Sequence, residues 1–168
     1  MGIARTFQTV QIFPDLPVIE NVRVGALFGS SKRVSSHEAN NLAAELLEFV
    51  GLSNVSSVPA KDLTLANQKR LEVARALATK PEILLLDELM AGLNQTEVSQ
   101  AMDLVKRIRD KGITVVMIEH VMSAIMNVCD RIIVLHHGVK IADGTPQEVA
   151  RSEKVIEVYL GEQANAGN

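Results

Sequence analysis

The chain has no tryptophan, one tyrosine and four phenylalanines, so aromatics make up only 3% of a sequence that is 47% hydrophobic. An interior built from Leu, Ile, Val, Ala and Met suits sheets covered by helices better than an aromatic-rich sandwich. Cys129 stands alone, which excludes an intramolecular disulfide and a thiolate metal cluster and fits a reducing cytoplasm; its ordinary role is that of a small buried apolar residue. Neither sign of charge dominates. The 17 basic and 20 acidic residues leave a formal net charge of −3 and are scattered along the chain, so there is no electrostatic footprint for nucleic acid. No apolar run approaches the roughly 20 residues needed to cross a bilayer, and no basic stretch followed by an apolar core opens the chain. Attachment to a membrane is therefore expected only through a partner. At 168 residues the chain is the size of one domain.

Along the chain, Thr9 to Leu27 mixes apolar residues with Pro14, Asp15 and Pro17, reading as a loop that leads into a short helix at about residues 18–24. Gly29 to Ser36 is polar and Ser-rich. A helix is expected from about His37 to Val50, capped by Ser36, striped by Leu42, Leu46, Leu47, Phe49 and Val50, and stopped by Gly51. From residue 63 onward helices alternate with short apolar strands at βαβ lengths. The expected helices are 67–79, closed by Pro81; 96–109, with Val98, Ala101, Met102, Val105 and Ile108 inward; and 121–128. The expected strands are 82–87, 113–118 and 131–135, with a hairpin through His137-Gly138 into 139–142. The strands at Ile83 to Leu86 and Ile113 to Ile118 are apolar at successive positions, as expected when both sheet faces are covered. The polar end from Glu162 to Asn168 is expected to fray. The sum is an α/β fold with a largely parallel sheet.

Ligands of such sheets sit beyond the C-terminal ends of the strands. One strand closes on Asp87-Glu88 and another on Glu119-His120. Leu84-Leu85-Leu86-Asp87-Glu88 has the form of a Walker B strand, in which a rigid strand delivers the first carboxylate to Mg²⁺ and the second acid acts on an attacking water. An ordinary buried strand running into an acidic turn has the same form. Leu63-Thr64-Leu65-Ala66-Asn67-Gln68-Lys69-Arg70-Leu71 puts small and polar residues at a helix start, where unpaired N–H groups and the dipole favour an anion. Thr64 or Asn67 as a simple N-cap accounts for it equally well.

Taken in order, the Gln8 loop, the 63–71 segment, Asp87-Glu88, the Ala91-Gly92-Leu93-Asn94 turn and Glu119-His120 resemble the Q-loop, signature motif, Walker B, D-loop and H-loop of an ABC-type ATPase. The resemblance starts at Gly2. Gly2-Ile3-Ala4-Arg5-Thr6-Phe7-Gln8, Val18-Ile19-Glu20-Asn21-Val22, Gly144-Thr145-Pro146 and Val155-Ile156-Glu157-Val158-Tyr159-Leu160-Gly161 are similar to the branched-chain amino-acid import group. It implies a partial P-loop NTPase-type fold, with a helical subdomain at about 15–80 and a core at about 81–145. It also implies ATP and Mg²⁺ as cofactors, and as partners a second ATPase subunit, the same or different, and transmembrane permease subunits, with residence at the inner face of the cell membrane. Carried over by position, Gln8 would touch Mg²⁺ or the attacking water, Asp87 would hold Mg²⁺ through water, Glu88 would polarise the attacking water and His120 would contact the γ-phosphate. Thr64, Leu65, Ala66, Asn67 and Gln68 would face a nucleotide held by the opposite subunit. The bland alternatives are a solvated Gln8 and a His120 that caps the next helix. His37, His136 and His137 are given no metal role.

The sequence departs from the family pattern in several places. The 168 residues contain no Gly-x-x-x-x-Gly-Lys-Ser/Thr: Gly25, Gly29 and Gly51 are not followed by it. That loop supplies backbone donors and a lysine to the phosphates and a hydroxyl to Mg²⁺, so this chain alone is expected not to hydrolyse ATP, and a non-catalytic interaction module is the competing reading. Leu65-Ala66 stands where the commonest signature has two glycines, Leu89 where Pro is frequent and Asn94 where Asp is frequent.

Overall fold

A computed structural model describes residues 2–29 and 34–158. The expected frayed tail, residues 30–33 of the Ser-rich stretch before the second helix and residues 159–161 of the Val155–Gly161 segment lie outside the described residues. The chain divides into two compact units between Glu119 and His120. In order, the first carries β1 (Ile3–Arg5), α1 (Val18–Phe28), α2 (Ser36–Val50), α3 (Leu65–Leu77), β2 (Ile83–Asp87), α4 (Gln95–Asp110) and β3 (Thr114–Ile118). The second carries α5 (Met122–Val128), β4 (Ile132–His136), β5 (Val139–Gly144) and α6 (Pro146–Ala150).

Buried Asn21 organises the start of α1. Its side chain accepts from the Phe13 amide at 2.8 Å and donates to the carbonyls of Phe13, Leu16 and Pro17. Loop 13–17, rich in Pro and unable to form its own ladder, is thereby satisfied from the helix it precedes. The helix runs to Phe28, one turn further than its apolar pattern indicated. Ser35, not Ser36, caps α2. Glu38 stands three residues after Ser35, and the two side chains exchange bonds with each other's amides at 3.2 and 2.8 Å, a capping box. Gly51 ends α2 at φ +77, a left-handed geometry that glycine adopts without steric cost.

β1, β2 and β3 form a parallel sheet in that order, with Ile3 opposite Ile83, Leu85 opposite Val116 and Asp87 opposite Ile118. Residues in register share a face, so the two faces can be compared directly. Ala4, Leu84 and Leu86 lie on a buried face, and α3 packs against β1 and α4 against β3. Ile3, Val116 and Ile118 lie on the other, at 62%, 51% and 64% exposure. The expectation that both faces are covered is therefore corrected: within the first unit the second face stays open at Ile3, Val116 and Ile118, although these residues are apolar. On α4 the buried residues are Ala101, Leu104, Val105 and Ile108. Leu104 thus takes the inward place expected for Met102, and Met102 and Val98 are half-buried at its margin.

In the second unit, β4 and β5 pair antiparallel, with His136 opposite Val139. His137 and Gly138 both have positive φ, 47 and 77, the two-residue turn geometry whose twist suits a hairpin. Arg131 donates to both carboxylate oxygens of Asp143 at 2.8 and 3.0 Å and Lys140 adds a third bond, which holds the Asp143 carboxyl down at about 2.

An apolar face of this kind on a folded domain favours association. The chain is expected to bind the dye ANS and to associate as its concentration rises. Ile118→Thr keeps a β-branched side chain in the strand and is expected to lower both signals, followed by fluorescence and light scattering over a dilution series; signals that do not move would mean the face is covered in solution.

Candidate functional site

The polar ends of β1 and β2 meet because the strands are parallel neighbours. Past β1 the ladder continues through the Thr6 amide, which donates to the Leu85 carbonyl at 2.9 Å, and Thr6 Oγ1 accepts from the Asp87 amide at 3.3 Å. Thr6 is 1% exposed, so its hydroxyl is a buried tie between the strands. Two residues on, Gln8 Nε2 donates to Glu88 Oε2 at 2.9 Å, joining residues 80 apart in sequence. Arg5 and Asp87 share the open sheet face and form an ion pair at 3.0 Å, with side chains 54% and 21% exposed.

Glu88 has φ +47, a left-handed geometry that costs a non-glycine residue about 1–3 kcal/mol and is common at functional sites. The turn is fixed from several sides. The Glu88 amide donates to Ile118 O at 2.9 Å, its carbonyl accepts from Lys69 Nζ at 2.8 Å and from the Ala91 amide at 3.2 Å, and Met90 N donates to Glu119 Oε1 at 2.8 Å. A hydrogen bond from a charged donor contributes about 1.5–3 kcal/mol, the same size as the strain, so the Lys69 bond alone can offset it.

Lys69 and Glu72 are functional candidates that motif reading missed. Both lie on α3 and are 5% and 4% exposed. Glu72 Oε1 accepts the amides of Phe7 at 3.3 Å and Gln11 at 3.2 Å, one on each side of Gln8. Burial pushes its carboxyl above the ordinary value against the pull of those two bonds, and burial pushes the Lys69 ammonium below its own. Arg75, one turn further, donates to the Gln11 carbonyl and lies over the Phe13 ring at 5.4 Å. The available signal was periodic: Ala66, Lys69, Val73 and Ala76 follow helical spacing, and a charge at a core position of that spacing needs a partner.

At the N-terminus of α3, Thr64 is the N-cap, accepting from the Asn67 amide at 3.4 Å, and Gln68 Nε2 donates back to the Leu63 carbonyl at 3.2 Å. The cap reading of Thr64 is thus realised, and the Leu65 and Ala66 amides remain as first-turn donors. Leu65 is 45% exposed and reaches the Gly92 turn, where a Cβ added to Gly92 would stand 3.1 Å from Leu65 Cδ2. Asn94 begins α4 with its own capping box, exchanging bonds with Glu97 at 3.0 Å each way. His120 is the first residue of the second unit and is exposed; it follows Glu119 at the end of β3, the strand beside β2.

The donor set suits a hard cation in part. Asp87 offers carboxylate oxygens, and the Gln8 amide oxygen is left over once its nitrogen is committed to Glu88; oxygen donors of this type take Mg²⁺, which keeps several waters. Arg5 competes for the same carboxylate.

The ABC transporter family matches residues 1–91, and a family described as branched-chain amino acid ATP-binding cassette transporter matches residues 139–165. The high-affinity branched-chain amino acid transport ATP-binding protein LivG of Escherichia coli is 39% identical over 175 residues, covering 96% of this chain and 69% of that protein. The BraF protein of Pseudomonas aeruginosa, described in the same words, is 38% identical and covers 96% of this chain and 68% of its own length. Among solved structures, the ADP conformation of an ATP-binding cassette of an ABC transporter superposes with a TM-score of 0.82 at 32% identity, over 95% of this chain and 68% of that one.

Competition at Asp87 is testable without nucleotide. An exposed ion pair contributes at most about 1 kcal/mol, so Arg5→Met is expected to raise Mn²⁺ affinity by up to about fivefold. Paramagnetic broadening of Asp87 resonances on titration with Mn²⁺ reads it, and lower affinity in the variant would show that Arg5 supports the cation site.

Proposed function

The chain belongs to the ABC transporter ATP-binding family, and from that premise we propose that it is the energy-coupling part of a branched-chain amino-acid importer, acting with a second ATPase subunit and with transmembrane permeases. No helix among the described residues is long and apolar enough to cross a membrane; in this reading the chain is attached through permease subunits at the inner face of the membrane. The observation that carries the catalytic part is the Gln8–Glu88 hydrogen bond beside Asp87, formed where two parallel strands end.

In this reading Asp87 and Gln8 would hold Mg²⁺, mainly through water, and the cation would neutralise charge on the phosphates. Glu88 takes the proton of the attacking water; the Gln8 amide bond points its carboxylate and the left-handed turn fixes where it stands. His120 contacts the γ-phosphate. Thr64, Leu65, Ala66, Asn67 and Gln68 face the nucleotide of the opposite subunit, with the Leu65 and Ala66 amides as donors and Thr64 holding the helix start. These 168 residues hold no phosphate loop; in this reading the elements that carry one would pack on the open sheet face at Ile3, Val116 and Ile118. Substrate choice belongs to other subunits. A purely non-catalytic role draws support from the Arg5–Asp87 pair, in which the carboxylate is already committed to a cation of the chain.

With this chain joined behind the phosphate-loop segment of LivG, Glu88→Gln is expected to keep ATP binding and to lower turnover by at least about 100-fold, because shape and hydrogen bonding stay while the carboxylate that acts on water is lost. Unchanged steady-state hydrolysis would remove Glu88 from the mechanism. The 168-residue chain alone is expected to bind ATP weakly and to hydrolyse none above background, since several charge-assisted bonds of about 1.5–3 kcal/mol each are missing. Isothermal titration with ATP and Mg²⁺ checks this, and micromolar binding with turnover that Glu88→Gln abolishes would put the phosphate site within these residues.

A further inference from the structure

We propose that Lys69 and Glu72 are positioning residues that lock the Gln8 loop and the Glu88 turn onto α3, so that whatever seats at the N-terminus of α3 sets the geometry of the Gln8–Glu88 pair. The inference rests on the reading of Glu88 given above and extends it to two buried charges, one near the end of the 63–71 segment and one just past it, that the motifs give no role.

Lys69, Glu72 and Arg75 stand three residues apart along one side of α3. Each reaches out of the helix to a backbone group of the site: Lys69 to the Glu88 carbonyl, Glu72 to the amides of Phe7 and Gln11, Arg75 to the Gln11 carbonyl. The loop of Gln8 is therefore held at both flanks and Glu88 at its strained residue, all by one rigid element. Gln8 and Glu88 then bond to each other, which closes a ring of contacts running from α3 through the loop, across to β2 and back. The first turn of the same helix carries Thr64, Leu65 and Ala66.

Stability gives little reason for this arrangement. Buried charges lose hydration, and well-packed apolar residues of similar volume commonly serve folding as well or better. The desolvation is visible in both groups, with Glu72 pushed up and Lys69 pushed down. What an apolar pair could not supply is a donor for Glu88 O and an acceptor for two amides in fixed places. A rotation or slide of α3 carries these bonds with it, so the distance from the Glu88 carboxylate to its water depends on how α3 is seated.

The test uses the chain joined to the LivG phosphate-loop segment, with Lys69→Met and Glu72→Leu to remove the bonds at near-constant volume and Glu72→Gln to keep an acceptor oxygen. Loss of supporting hydrogen bonds behind a reacting group lowers activity about 10- to 100-fold, so both bond-removing variants are expected to lose kcat by that factor with KM for ATP within about twofold, and Glu72→Gln to retain most of kcat. Hydrogen exchange on the 168-residue chain is expected to quicken at residues 7–11 for Glu72→Leu and at residues 88–91 for Lys69→Met, while α2 keeps its protection. Unaltered kcat in both variants, or exchange that rises equally in α2, would overturn the proposal and leave the two residues as ordinary parts of the fold. If instead Glu88→Gln leaves hydrolysis intact, the role of Glu88 is what fails, and the local exchange pattern still decides whether Lys69 and Glu72 hold the two segments.

Discussion

The parallel pairing of β1 with β2 is the constraint on which the site depends. Three residues of strand fix the register Ile3–Ile83, Ala4–Leu84 and Arg5–Leu85, and every functional contact after that follows from the two chains leaving the sheet side by side. A slip of one residue would turn Arg5 and Asp87 to opposite faces and carry Gln8 about 3.3 Å along the strand direction, beyond reach of Glu88. The register is held by more than the short ladder. The Thr6 hydroxyl, buried between the strands, takes the Asp87 amide, and Glu72 anchors the chain on both sides of Gln8.

Much of the site was legible because its residues obey local rules. Apolar runs ending in acids mark strands wherever they occur, and Asp87, Glu88 and Gln8 were found from such ends and from the order of the motifs. The Gln8–Glu88 contact was out of reach, since β1 is only three residues long and its pairing partner lies 80 positions away. Ser35 was displaced by one because two adjacent serines compete for the cap; the deciding partner, Glu38, has the right spacing only to Ser35. The uncovered sheet face was misread for a different reason. Apolar residues at successive positions report what a strand is built to pack against, and here the described residues do not supply the cover for Ile3, Val116 and Ile118.

Departures from the family pattern have local physical accounts. Asn94 serves as an N-cap as well as aspartate does, and its two bonds with Glu97 show the position working as a helix start. Leu89 is 5% exposed and belongs to the core beside the Glu88 turn. Leu65 has a larger consequence. Where glycine would leave the helix start bare, its side chain reaches toward the Gly92 turn, which ties the first turn of α3 to the segment between Glu88 and α4.

The three ties on α3, at Leu65, Lys69 and Glu72, make one helix the common support of the Gly92 turn, the Glu88 turn and the Gln8 loop. Such a layout has a mechanical implication. On the reading proposed above, a nucleotide phosphate gripped at the first turn of α3 would press on an element whose side chains hold the Gln8 loop and the Glu88 turn through hydrogen bonds to carbonyls and amides. Rigid packing transmits displacement because interiors compress little. On the same reading the strain in the left-handed Glu88 residue would serve the linkage: a turn held in an unfavourable conformation by Lys69 would shift if that bond lengthened, and the Glu88 carboxylate would follow the seating of α3.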